Sequence, residues 1–228
     1  MNFIADKQTL EDLNLLGKYR PNSIYGIFNQ VKTLGGARLL DELFRHPLSD
    51  FEAINLRSSI FNYFQQRDLL FPTESEAFGI MENYLTMGVS GNYLSVLGGV
   101  IYKKLAASIY NDDQFQILQL GLKTSIAGLA SLRDFISRLE AEQGSPYQEE
   151  LEKYAGIFSD SHMAWLPQHD HTTQLSVMQV AKYDYLLRHT LRKEMEQLLD
   201  CVYNLDVYLA VSRVAKLKGY KYAKALPK

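Results

Sequence analysis

Between Leu187 and Ser212 the core-type positions Leu187, Leu191, Met195, Leu198, Val202, Leu205, Leu209 and Ser212 recur every three or four residues. That period lines one side of an α-helix. Neither Pro nor Gly interrupts the chain from Leu175 to Lys218, so the pattern predicts one helix over 175–219. At 1.5 Å per residue it would be about 65 Å long. A packing helix in a bundle accounts for such a stripe on periodicity alone.

Upstream, the same period predicts helices over 9–16, 23–32, 36–45, 50–66, 74–87, 92–110, 112–142 and 146–158. Three starts read as capping boxes, in which a hydroxyl accepts from a backbone N–H and a following Glu or Gln reaches back. They are Ser49 to Glu52, Thr73 to Glu76 and Ser145 to Gln148, with Pro146 at a first helical position where its missing N–H costs nothing. Gly35-Gly36, Gly88 to Gly91 and Gly144 punctuate the helices, while Gly98-Gly99 falls inside one. Alternating Val, Ile and Thr runs joined by Asn-Gly or Asp-Gly turns are missing, so no sheet is expected. The fold class is all-α: an elongated helical bundle ending in a long C-terminal helix.

A chain of 228 residues allows one elongated domain or two closely joined ones. In chain order, 1–75 holds the N-terminal helices, 76–175 the middle helices and a connecting loop, and 176–228 the long helix. The single cysteine, Cys201, suits a reducing compartment and, within the apolar stripe, reads as an inert core filler. Asp6, Lys7, Glu11 and Asp12 interrupt any apolar leader, and Lys103-Lys104 cut the least polar stretch, Tyr93 to Tyr110. A cytoplasmic protein without a membrane partner is expected.

Net charge is −2, which gives no global field for nucleic acid. The excess of basic residues is confined to the end, where Arg213, Lys216, Lys218, Lys221, Lys224 and Lys228 follow the last acidic residue, Asp206. They are candidate phosphate contacts, and a DNA-binding module working through this basic tail is an alternative reading, although cations there also complement a helix C-terminus. The fifteen Tyr and eleven Phe are spread over helical faces and read as core and interface aromatics rather than a base-stacking platform.

Candidate chemistry is sparse. His169-Asp170-His171, with His162 nearby, could supply metal ligands, but the segment 159–174 reads as a polar loop that fixes no geometry. A helical metal-dependent hydrolase using these four residues is the enzyme alternative. No Gly-x-Ser-x-Gly, His-Glu-x-x-His or phosphate-loop motif occurs. The expectation is therefore a non-enzyme, with no catalytic, cofactor-binding or metal residues and no ATP bound by this chain.

Two stretches carry a family pattern. Asp6-x-x-Thr9-x-x-Asp12-Leu13, Thr33-x-x-Gly36-x-Arg38-x-Leu40, Pro47-Leu48 and Ile54-x-x-Arg57 occur near the start. Leu205-Asp206-x-x-x-Ala210-x-Ser212-x-x-Ala215-x-x-x-Gly219-Tyr220 occurs near the end. The first resembles the opening of the helical core domain of the MutS family of DNA mismatch-repair ATPases. The second is similar to the close of that family's lever helix, just before its ATPase domain.

The resemblance implies a core and lever module of a shortened MutS-like protein. ATP and Mg would lie in an adjoining ATPase domain outside this chain, and the intact protein would be a homodimer with DNA as a candidate partner. Residues 142–175 are too few for the family's clamp, and its upstream mismatch-reading domain is not expected either. The motif positions suit structural work: Gly36 for close packing at a helix start, Arg38 for carbonyls or a carboxylate at a helix junction, Pro47 to stop a helix before Ser49 caps the next.

Overall fold

The computed structural model describes residues 15, 23–67, 69–88, 91–140, 144–166 and 175–227. Among them all regular structure is helical: α1 (Ile24–Phe28), α2 (Leu34–Arg45), α3 (Phe51–Gln65), α4 (Ser75–Thr86), α5 (Tyr93–Tyr110), α6 (Gln114–Glu140), α7 (Gln148–Phe158), α8 (Val177–Tyr185) and α9 (Arg192–Lys218). A 3-10 turn, Ser161–Met163, follows α7, and a π turn, Leu186–Thr190, separates α8 from α9. The all-α expectation holds. Among the described residues no helix is long and apolar enough to cross a membrane.

Most predicted starts lie within two residues of the observed ones, but the capping groups differ. The residue before α3 is Asp50, whose carboxylate accepts from the Ala53 N–H at 2.8 Å, so Ser49 does not cap it. Before α4 stands Glu74 without a side-chain cap bond, so the Thr73 to Glu76 box does not form. Ser145 does accept, at 3.1 Å, but from Tyr147, and α7 begins two residues after Pro146. The helix over 23–32 is a five-residue piece. The predicted helix over 9–16 lies outside the described residues except for Leu15.

The chain groups into two compact units. One comprises 1–71, 142–149 and 200–228; the other comprises 72–141 and 150–199. In the first, Tyr25, Leu40, Val207 and Val211 form a buried core edged by Phe28, Leu43, Phe44 and Phe61. Beside it Tyr208 stacks on Phe64 at 5.7 Å and meets Tyr147 edge-on at 5.4 Å. Helix α9 stops in a Schellman turn: the Tyr220 N–H donates to Ala215 O at 2.9 Å, and Gly219 takes φ +67. Gly219→Ala puts a Cβ on a left-handed residue and is expected to lower stability by about 1 kcal/mol in urea unfolding.

In the second unit, α4 lies along α6 and α5 along α8. The residues of the predicted stripe are buried, Leu209 half-buried. The single helix predicted over 175–219 is nevertheless interrupted. The Leu191 N–H donates to Leu186 O at 2.8 Å, spanning five residues, and Leu191 itself sits at φ −103, ψ 25. The π turn inserts one residue into the helical phase, and it contains one partner of a buried ion pair.

That pair is Asp184 with Arg188. The guanidinium Nε donates to Oδ1 at 2.7 Å and Nη2 to Oδ2 at 2.8 Å, while Nη1 donates to Met87 O at 3.1 Å. The Tyr84 hydroxyl donates to Asp184 Oδ1 at 2.6 Å, and its ring lies 4.7 Å from the guanidinium carbon. Burial, then the neighbouring Asp184 charge, pushes the Tyr84 hydroxyl well above the ordinary tyrosine value, so it remains a donor.

Candidate functional site

The place where distant sequence signals converge is the N-terminus of α2. Thr33 is its cap: Oγ1 accepts from the Gly36 N–H at 2.9 Å. From α9, Asp206 brings a carboxylate to the same point. Its Oδ1 accepts from the Lys32 N–H at 3.0 Å; its Oδ2 accepts from the Lys32 N–H at 2.9 Å, the Thr33 N–H at 2.8 Å and the Thr33 hydroxyl at 2.8 Å. Thus two backbone N–H groups that precede the helix and the cap hydroxyl all point at one anion. A negative charge there also faces the positive end of the α2 dipole.

The two glycines at the start of α2 pack directly against side chains of α9. A Cβ on Gly36 would lie 2.6 Å from Asp206 Oδ2, and one on Gly35 would lie 2.2 Å from the Tyr203 ring. Asp206 is only 2% exposed. Burial pushes its carboxyl above the ordinary aspartate value, and the Lys32 and Thr33 donors hold back only part of that rise.

Thr33, Gly36 and Asp206 of the two sequence patterns are therefore one network. The others are placed separately. Pro47 follows the end of α2 as expected of a stop. Arg38 is exposed, and among the described residues no carbonyl or carboxylate accepts from it, so the junction role assigned to it falls instead to Thr33. Arg57 sits half-buried on α3 against a cavity of ≈ 200 Å³ lined by Phe28, Leu43, Phe44 and Phe61, and burial lowers its affinity for its proton. Gly219 ends α9. Asp6, Thr9 and Asp12 lie outside the described residues.

Of the basic residues, Lys216, Lys221 and Lys224 line an open groove of ≈ 720 Å³ together with Ser59, Asn62 and Gln66. The extended segment after α9 forms one wall of it. Asn55 pins that segment with a reciprocal pair of bonds to Ala225, at 2.8 and 3.0 Å, and Tyr222 stacks on Phe61. Arg213 faces a different cavity, beside Asp206 and Gln30. Lys218 is exposed.

His162 is engaged close to home. Its ring Nδ1 lies 2.9 Å from Asp160 Oδ1, and that oxygen also accepts from its backbone N–H at 2.7 Å. His169, Asp170 and His171 lie outside the described residues. Among the described residues no three His, Cys, Asp or Glu side chains are grouped so as to hold a metal ion. Cys201 is fully buried, in keeping with a core filler.

No family model, curated protein or solved structure matches the chain. Sequence reasoning missed the Asp184–Arg188–Tyr84 network. An acid and an Arg four residues apart on a helix ordinarily read as a solvated pair; the available signal was that Leu187 and Leu191, on the same turns, belong to the apolar stripe.

Proposed function

We propose that the chain is the non-catalytic core and lever module of a cytoplasmic MutS-like protein, coupling an adjoining ATPase domain to DNA or to a protein partner. One observation carries this reading. Thr33 and Gly36 belong to the pattern resembling the family's core, Asp206 belongs to the pattern resembling its lever, and these three residues share one buried hydrogen-bond network although 173 positions separate Thr33 from Asp206. A shared junction is what joint motion of core and lever requires.

Helix α9, with 27 residues and a length of about 40 Å, is suited to carry a displacement over that distance. The π turn just before it, with Leu187 and Arg188 buried, is the sort of local irregularity that recurs at functional positions in helices. The groove holding Lys216, Lys221 and Lys224 is the surface at which this reading places contacts with phosphates. ATP and Mg belong, in the same reading, to the adjoining domain.

The test uses the protein that carries this chain together with its ATPase domain. Addition of a non-hydrolysable ATP analogue is expected to change amide hydrogen-exchange protection in α9 and around Thr33 by at least tenfold. Unchanged protection in both places, with nucleotide demonstrably bound, would remove the coupling role.

A further inference from the structure

Helix α5 is apolar on both sides. Of its 18 residues only Lys103 and Lys104 are charged. One side, with Val96, Val100 and Ala106, is buried in its unit. The opposite side is bare: Leu94 is 72% exposed, Ile101 44%, Tyr102 72%, Leu105 55% and Ile109 68%. Spacings of four, three, four and four residues put Leu94, Gly98, Ile101, Leu105 and Ile109 in one stripe, and a Cβ on Gly98 would meet nothing within 4 Å. A helix hydrophobic all round normally has both faces covered.

The order of side chains along the stripe points to its occupant. About its midpoint, between Ile101 and Tyr102, it reads nearly the same in both directions. An antiparallel copy would set Leu94 against Ile109, Ile101 against Tyr102, and Leu105 into the gap left by Gly98. No lysine would oppose a lysine. Such self-complementarity about a two-fold axis is what an isologous interface needs.

The area is sufficient. The exposed parts of these five side chains amount to on the order of 500 Å² of apolar surface per copy. That is about the apolar share of a standard interface, which buries roughly 800 Å² per partner.

We infer that α5 is a homodimerisation helix that pairs antiparallel with α5 of a second copy. This inference is independent of the coupling role proposed above, since it uses neither the Asp206 junction nor a nucleotide.

The full 228-residue chain is expected to sediment at twice its 26.1 kDa at micromolar concentration. Gly98→Leu fills the gap intended for Leu105 and is expected to weaken dimerisation at least tenfold. In the monomer it should be tolerated, because leucine favours the helix and the space is open. Gly99→Ala, off the stripe, is the control and should leave the mass unchanged.

Single cysteines fix the direction, with the native Cys201 buried. Under oxidation Ile101→Cys, next to the axis, should form a disulfide-linked dimer. Leu94→Cys should not, because the two copies of that position would be about 22 Å apart along antiparallel helices. A monomer at all concentrations, a dimer indifferent to Gly98→Leu, or cross-linking through Leu94→Cys would each overturn the proposal, the first showing that something other than a second copy covers the stripe.

Discussion

Replacing Arg188 by leucine is expected to lower the unfolding free energy by about 3–5 kcal/mol, the range for removing one partner of a buried ion pair. The reason lies in what is left behind. Among the described residues, Asp184, with a side chain 3% exposed, would keep only the Tyr84 hydroxyl as a donor, having lost two guanidinium bonds and a full countercharge. Met87 O would lose its guanidinium donor as well. Arg188→Lys should recover little, because an ammonium cannot donate in parallel to both carboxylate oxygens while also reaching Met87.

The double replacement, Asp184→Leu with Arg188→Leu, is the informative control. With both charges gone nothing charged stays buried without a partner, and much of the loss should return. The coupling energy from the resulting double-mutant cycle, measured by urea unfolding, isolates the pair from the packing of the new leucines. A cost for Arg188→Leu below about 1 kcal/mol would mean that Asp184 finds water or protonates with little penalty.

That pair also marks the limit of what the sequence made legible. Helix identity followed from period, because Leu187 through Ser212 can share a face only at 3.6 residues per turn. Helix ends were legible where one residue type suits the required backbone, as with Gly219 at a left-handed position and Pro47 after α2. They were misread where neighbours compete for one role: Ser49 and Asp50 can each cap, and only the path of the preceding chain decides between them.

The junction was half legible. Resemblance singled out Thr33, Gly36 and Asp206, and an acidic residue between Leu205 and Val207 in an apolar stripe demands a buried partner. Spacing could not say that the partner would be the cap of a helix more than 170 residues away, since tertiary proximity has no period. The α5 stripe is legible in the sequence as hydrophobic, but periodicity alone does not separate a buried side from a bare one. Its bare side became visible once Val96 and Val100 were known to face inward.

Asp206→Ala is expected to cost about 2–4 kcal/mol, for it leaves the Lys32 and Thr33 N–H groups and the Thr33 hydroxyl without their shared acceptor in a closed junction. Gly36→Val should be similarly damaging by a different route, because its Cβ would have to occupy space now held by Asp206 Oδ2. The two effects should not add, since either one opens the same contact.

The pH dependence separates charge from packing. The folded Asp206 carboxyl lies above the ordinary value of 3.8, so the native state holds this proton more tightly than the unfolded chain does. Its contribution is therefore largest below the unfolded pKa and declines as pH rises through the folded one. The wild-type minus Asp206→Asn difference in unfolding free energy should accordingly fall with pH across that window and be flat above it. A difference that instead grew with pH over the same interval would mean that the donors from Lys32 and Thr33 outweigh burial, and that the junction is stabilised by the ionised carboxylate more than its closed surroundings suggest.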